Sequence, residues 1–127
     1  DIISEDNIKK RQHHIHMNGR EVFKHAVRRF KEVILEGLEY NDLTIDDVDM
    51  VIPHQANYRI TQTVQKQLGV SEDKVFSNVH NYGNTTAASI GIALTEALEQ
   101  NKIKKGDIVV LASFGAGFQW GSVVIKW

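Results

Sequence analysis

The sequence predicts an α/β domain with a mixed sheet flanked by helices, one of them buried. Three observations carry this. Apolar residues recur with a helical period behind Asn18, short β-branched runs stand at 49–54 and 108–114, and an uncharged, small-residue stretch runs from Asn84 to Thr95. Strands that alternate with helices argue a layered α/β arrangement.

The first eleven residues are polar and read as a poorly ordered lead-in, so the domain is expected over 12–127. QHHIHM (12–17) places Ile15 and Met17 on one alternating side and reads as a strand. Asn18 followed by Glu21 has the spacing of a helix N-terminal capping box. Behind it Phe23, Val27, Phe30, Ile34 and Leu38 step by four and three, which makes an amphipathic helix. Its other face carries Arg20, Lys24, Arg28 and Lys31. Thr44 to Asp47 repeats the capping pattern ahead of a short buried strand, DMVIPH (49–54), with Pro53 at its end because proline has no N–H for a ladder.

A second amphipathic helix is expected from Ala56 to Leu68, ended by Gly69, and another short strand at Val75–Val79. The run after Asn84 holds Ala87, Ala88, Ser89, Gly91 and Ala93 and reads as a helix buried all round. Ile108–Phe114 fits a strand covered on both faces. Gly115-Ala116-Gly117 turns the chain into a last, antiparallel strand at Ser122–Trp127.

Composition excludes several classes. The chain has 127 residues, 42% of them hydrophobic, enough for one domain with a real core. A net charge of −1 argues against a globally basic nucleic-acid binder. With no cysteine there is no disulfide framework, no cysteine-ligated metal and no cysteine nucleophile within these residues. No apolar run approaches the ~20 residues of a membrane span, and the first residues, DIISEDNIKKRQ, do not read as a signal peptide. Of His13, His14 and His16, the last two would share one strand face, but no carboxylate or third histidine stands at defined spacing, so no metal is assigned to them. His25 and His80 read as structural.

Three polar features could carry chemistry. His54 follows a buried strand, Asn84 opens the small-residue helix, and the Gly115 turn ends a strand. Ligands of α/β sheets bind beyond the carboxyl ends of strands. Singly, each has a plain structural reading: a satisfied polar residue, a helix cap, a turn.

The longer strings around them are more specific. VIPHQANYRI (51–60), NVHNYGNTTAASIGIALTEAL (78–98) and SFGAGFQWGSVVIKW (113–127) resemble the signature segments of the β-ketoacyl-acyl carrier protein synthase III family, and MNGREVFKHAV (17–27) resembles the segment that opens its C-terminal half. The resemblance implies the C-terminal half of a thiolase-like fold. It implies an acyltransferase that joins an acyl-CoA starter to malonyl-acyl carrier protein by decarboxylative condensation, initiating fatty-acid synthesis. It also implies a Cys-His-Asn triad whose cysteine comes from an N-terminal half, so that this chain alone is expected to be inactive.

By the same resemblance His54 and Asn84 are the triad's other two members, and they stabilise the enolate oxygen left by decarboxylation. Ala116 supplies a backbone N–H to the acyl-enzyme oxyanion. Gly19, Ala56 and Asn57 line the pantetheine channel, and Lys24 and Arg59 belong to a carrier-protein patch at its mouth. No cofactor is implied, since the substrates carry phosphopantetheine or coenzyme A. The implied partners are acyl-CoA, malonyl-acyl carrier protein, the N-terminal half of the parent chain and a second copy in a homodimer, in the cytoplasm, with neither nucleic acid nor membrane. A neutral imidazole donates from one nitrogen only, so its other nitrogen is expected to need an acceptor, which the sequence does not name. Two rival readings are a related ketosynthase III-like enzyme of secondary metabolism and a non-catalytic module that docks carrier protein.

Overall fold

The computed structural model describes residues 3–14 and 16–127. Ser4 caps a short helix α1 (Glu5–Lys9) through the Asn7 N–H, and none of its residues is buried. In the expected strand 12–17, Ile15 lies outside the described residues. Residues 12–14 form a turn and 16–17 have no regular structure, so the described residues of this stretch form no strand. The side chains described there are exposed.

Helix α2 (Gly19–Glu39) begins where the capping signal puts it, with Asn18 Oδ1 accepting the Glu21 N–H at 3.3 Å. Its apolar stripe buries Ala26, Val27, Phe30, Val33, Ile34 and Leu38. Complete burial of a side chain such as Phe30 or Ile34 contributes roughly 1.5–3 kcal/mol. Asp47 then accepts from both the N–H and the hydroxyl of Thr44, closing the turn before strand β1 (Met50–Pro53), which is buried throughout.

Helix α3 (Tyr58–Leu68) starts two residues later than expected. Asn57 is its cap, in extended backbone, and accepts the Arg59 N–H at 2.9 Å, which leaves Ala56 outside the helix. Gly69 ends it at φ 73°, a left-handed conformation that glycine adopts without a Cβ penalty. The strand expected at 75–79 shrinks to one parallel bridge, Val75 to Val51. Asn78 takes ψ 14° and opens a four-residue helix α4 (Val79–Tyr82) that breaks the extended run.

Helix α5 (Ala88–Glu99) is followed by β2 (Ile108–Gly115) and β3 (Gln119–Lys126). The sheet order is β1-β2-β3, with β1 parallel to β2 and β2 antiparallel to β3. Helices α2 and α3 cover one face, where Val51, Val110 and Phe114 meet Phe30, Ile34 and Val64. Helix α5 covers part of the other, where Met50, Ile52 and Val109 meet Ala93 and Ala97. At Gly37 an added Cβ would lie 2.5 Å from Ser122 Oγ, which donates to Val33 O at 2.7 Å. Glycine there lets β3 approach α2 directly.

Two burial expectations are corrected. Only the stripe Ser89, Ala93 and Ala97 of α5 is buried, while Ala88, Gly91 and Thr95 are exposed. The sheet meets one side of the helix, and among the described residues nothing covers Ala88, Gly91 and Thr95 on the other. For β2 the α2 face is covered to Phe114, but on the α5 face cover fades from Val109, buried, to Ser113, exposed.

Candidate active site

β1 and β2 run parallel, so their carboxyl ends open on the same side of the sheet. His54 leaves β1 there, held by its own N–H donating to Ala112 O at 2.7 Å. Its ring is half-buried, and burial lowers its pKa below the ordinary histidine value, favouring the neutral imidazole. Nδ1 lies 2.5 Å from the hydroxyl of Ser89, in the first turn of α5. The same oxygen accepts the backbone N–H of Gln55 at 3.2 Å. The loop after β1 is thereby fastened to the start of α5.

Gln55 is only 1% exposed and uses its whole carboxamide. Nε2 donates to Pro53 O at 2.7 Å and to Phe76 O at 3.3 Å, while Oε1 accepts from Ser77 Oγ and from Asn78 N–H. Asn78 Nδ2 in turn donates to Glu96 Oε2 at 2.7 Å, reaching back to α5. A buried polar group needs such partners, and here they lock three segments together.

Asn84 lies five residues before Ser89, in the turn that leads into α5. Gly83 ends α4 at φ 67° and ψ −160°, a region almost restricted to glycine. Thr86 takes φ 52°, which folds its N–H back onto Asn84 Oδ1 at 2.9 Å. That bond occupies the carbonyl end of the carboxamide and leaves the Nδ2 hydrogens as its donors. His54, bonded to Ser89, and Asn84, just ahead of Ser89, therefore stand at the same end of α5. Ala116 is exposed in the turn between β2 and β3, four residues beyond Ala112, the register partner of Pro53.

The remaining site candidates lie around this end or on the helices beyond it. Ala56 is half-buried against the α2/α3 core and its N–H donates to His54 O. Asn57 spends its side-chain oxygen on the α3 cap. Gly19 is the exposed first residue of α2. Lys24 donates to Glu21 Oε1 at 2.9 Å, and this bond holds the Glu21 carboxyl below its usual range. Arg28 and Arg29 both bind Glu32, so the basic stripe of α2 is partly neutralised along its length. Arg59 is exposed in the first turn of α3. His25 packs on Phe118, with ring centroids 5.2 Å apart. Among the described residues no group of three or more His, Asp or Glu side chains could hold a metal ion, and no helix is long and apolar enough to cross a membrane.

Sequence reasoning did not find Ser89, Gln55, Thr86 or Asn78 as site residues. Ser89 is one more small residue in an uncharged run, and the one signal for it was the need of the second imidazole nitrogen for a partner.

The mixed sheet flanked by helices is the thiolase-like α/β architecture of the solved synthase III structures it resembles, and here a histidine follows one strand and an asparagine precedes a small-residue helix. Residues 38–127 match the family model described as 3-oxoacyl-acyl-carrier-protein (ACP) synthase III C terminal, and the chain belongs to the 3-oxoacyl-acyl-carrier-protein synthase III family. It is 50% identical over 124 residues to the beta-ketoacyl-acyl-carrier-protein synthase III of Caldanaerobacter subterraneus subsp. tengcongensis, a match that covers 98% of this chain and 38% of that protein. The crystal structure of the synthase III of Thermus thermophilus superposes with a TM-score of 0.88 at 46% identity, covering 91% of this chain and 36% of that one. The Aquifex aeolicus VF5 enzyme gives 0.87 at 45% identity, covering 91% and 38%. The chain thus spans well under half the length of the relatives it matches.

Proposed function

We propose that this chain is the C-terminal part of a synthase that joins an acyl-CoA starter to malonyl-acyl carrier protein, beginning fatty-acid synthesis. What supports the reading is that His54, at the carboxyl end of β1, bonds Ser89 in the first turn of α5, and that Asn84 lies in the turn leading into that helix, in a chain of this family.

In this reading a cysteine of the N-terminal part attacks the starter thioester. A cysteine-acyl bond forms and the coenzyme A thiolate leaves. Malonyl-acyl carrier protein then loses CO₂, and its bonding electrons pass to an enolate. Two N–H donors, His54 Nε2 and Asn84 Nδ2, stabilise the charge on the thioester oxygen. The enolate carbon attacks the acyl carbonyl, whose oxyanion receives the Ala116 N–H, and the cysteine thiolate departs. The half-buried, neutral imidazole suits a donor role, and an asparagine stays a donor at every pH. No cofactor is required. Gly19, Ala56 and Asn57 would line the pantetheine path, Lys24 and Arg59 would meet the acidic carrier protein, and the assembly would be a cytoplasmic homodimer. The exposed outer face of α5 would be covered by the N-terminal part.

The test is made in the full-length synthase. His54→Ala and Asn84→Ala should each lower condensation by ~10²–10³-fold, the cost of one lost oxyanion donor, while acyl transfer to the cysteine is largely kept. A variant that condenses at the full rate overturns the role given to its residue.

A further inference from the structure

We propose that Ser89 is a positioning residue that sets the tautomer of His54: its hydroxyl donates to Nδ1, so the imidazole proton resides on Nε2. The inference rests on the reading of His54 given above for its catalytic consequence, but the tautomer itself follows from counting protons.

A serine hydroxyl has one hydrogen to give and two lone pairs to receive with. The Gln55 backbone N–H can only donate, and at 3.2 Å it takes one lone pair of Ser89 Oγ. The remaining polar neighbour of that oxygen, among the described residues, is His54 Nδ1 at 2.5 Å. Ser89 is 2% exposed, so its hydrogen cannot turn to solvent. If Nδ1 carried a hydrogen, the hydroxyl would receive twice and its own hydrogen would be buried without an acceptor. If Nδ1 is bare, the buried Ser89 hydrogen has an acceptor and the Gln55 N–H keeps its own, as buried polar donors require. The expected acceptor at the second nitrogen is therefore replaced by a donor. The backbone supports this geometry. Gln55 is anchored by its four side-chain bonds, which fix the N–H aimed at Ser89, and Ser89 sits on the stripe of α5 packed against the sheet. Burial also favours a neutral ring, in which a tautomer has meaning.

The experiment uses the full-length synthase labelled with ¹⁵N-histidine, with the His54 signals assigned by their loss in His54→Ala. The wild type should show Nε2 protonated and Nδ1 bare. Ser89→Ala should raise the population protonated at Nδ1. It should also lower kcat for condensation roughly 10-fold, short of the ~10²–10³ for losing a donor outright, with KM for malonyl-acyl carrier protein and the acyl-transfer rate little changed. Ser89→Thr, which keeps the hydroxyl, should restore both tautomer and rate. A wild-type His54 protonated at Nδ1 overturns the proposal, even if Ser89→Ala does not fold. Ser89→Ala with unchanged tautomer and rate overturns it too. A His54→Ala enzyme that condenses at full rate instead overturns the function proposed for His54, which the tautomer spectrum does not address.

Discussion

Gln55 Oε1 accepts the backbone N–H of Asn78 at 3.0 Å, which ties the loop holding His54 to the segment that runs on to Asn84. The two donors of the proposed mechanism are thirty positions apart, and this buried carboxamide is one of the bonds that keep their segments in register.

Replacing Gln55 by leucine keeps the volume and removes all four bonds. Pro53 O, Phe76 O and Asn78 N–H would lose the side-chain partner they have now. Buried groups left unpaired cost about 1–3 kcal/mol each, so a net loss of roughly 2–5 kcal/mol is expected. In urea denaturation the midpoint should fall with the slope unchanged. A midpoint equal to the wild type would contradict the anchoring role.

Burial gives His54 a pH signature. Its folded pKa lies below the ordinary value of 6.5, so as the pH falls the unfolded chain takes up the proton first. The contribution of this group to stability is complete above about pH 6.5, declines as the pH drops below it, and levels off beneath the folded pKa. The difference in unfolding free energy between wild type and His54→Gln, measured from pH 8 to pH 5, should shrink toward acid. A difference independent of pH would mean that burial does not hold the ring neutral.

Charge reversal tests the proposed carrier-protein face. Lys24→Glu with Arg59→Glu, in the full-length enzyme, should raise KM for malonyl-acyl carrier protein and steepen no other step, while acyl-CoA use is spared. Both side chains are exposed, and exposed charges steer encounter more than they set final affinity. Lys24 is paired with Glu21 at 2.9 Å, so part of its charge is already screened and Arg59→Glu alone should account for much of the effect. Equal loss with both substrates would count against docking at this face.

Helices α2 and α3 were legible because each carries its own period and its own stop and start: Asn18 and Glu21 for one, Gly69 for the other. β1 and β2 were legible as short, largely apolar runs containing Val and Ile. The described residues of the expected strand 12–17 are not in a sheet, and the one expected at 75–79 meets the edge of β1 only at Val75. Asn78 turns away after a single bridge. The all-apolar reading of α5 failed in a different way. Its composition suits cover on every side, but cover is a property of what packs around a helix, and the described residues supply it on one side only.

His54, Asn84 and the Ala116 turn were named from the strings around them, which are local and keep their meaning in one dimension. What the residue order by itself determined is therefore the family, the principal helices and strands, and the side chains able to donate to an oxyanion. Only the tertiary structure decided that Ser89 meets His54 Nδ1 and that Gln55 ties 53–55 to 76–78. The physical reason is that hydrogen-bond partners are chosen by distance in space, and residues thirty-five positions apart acquire one only when the chain has packed.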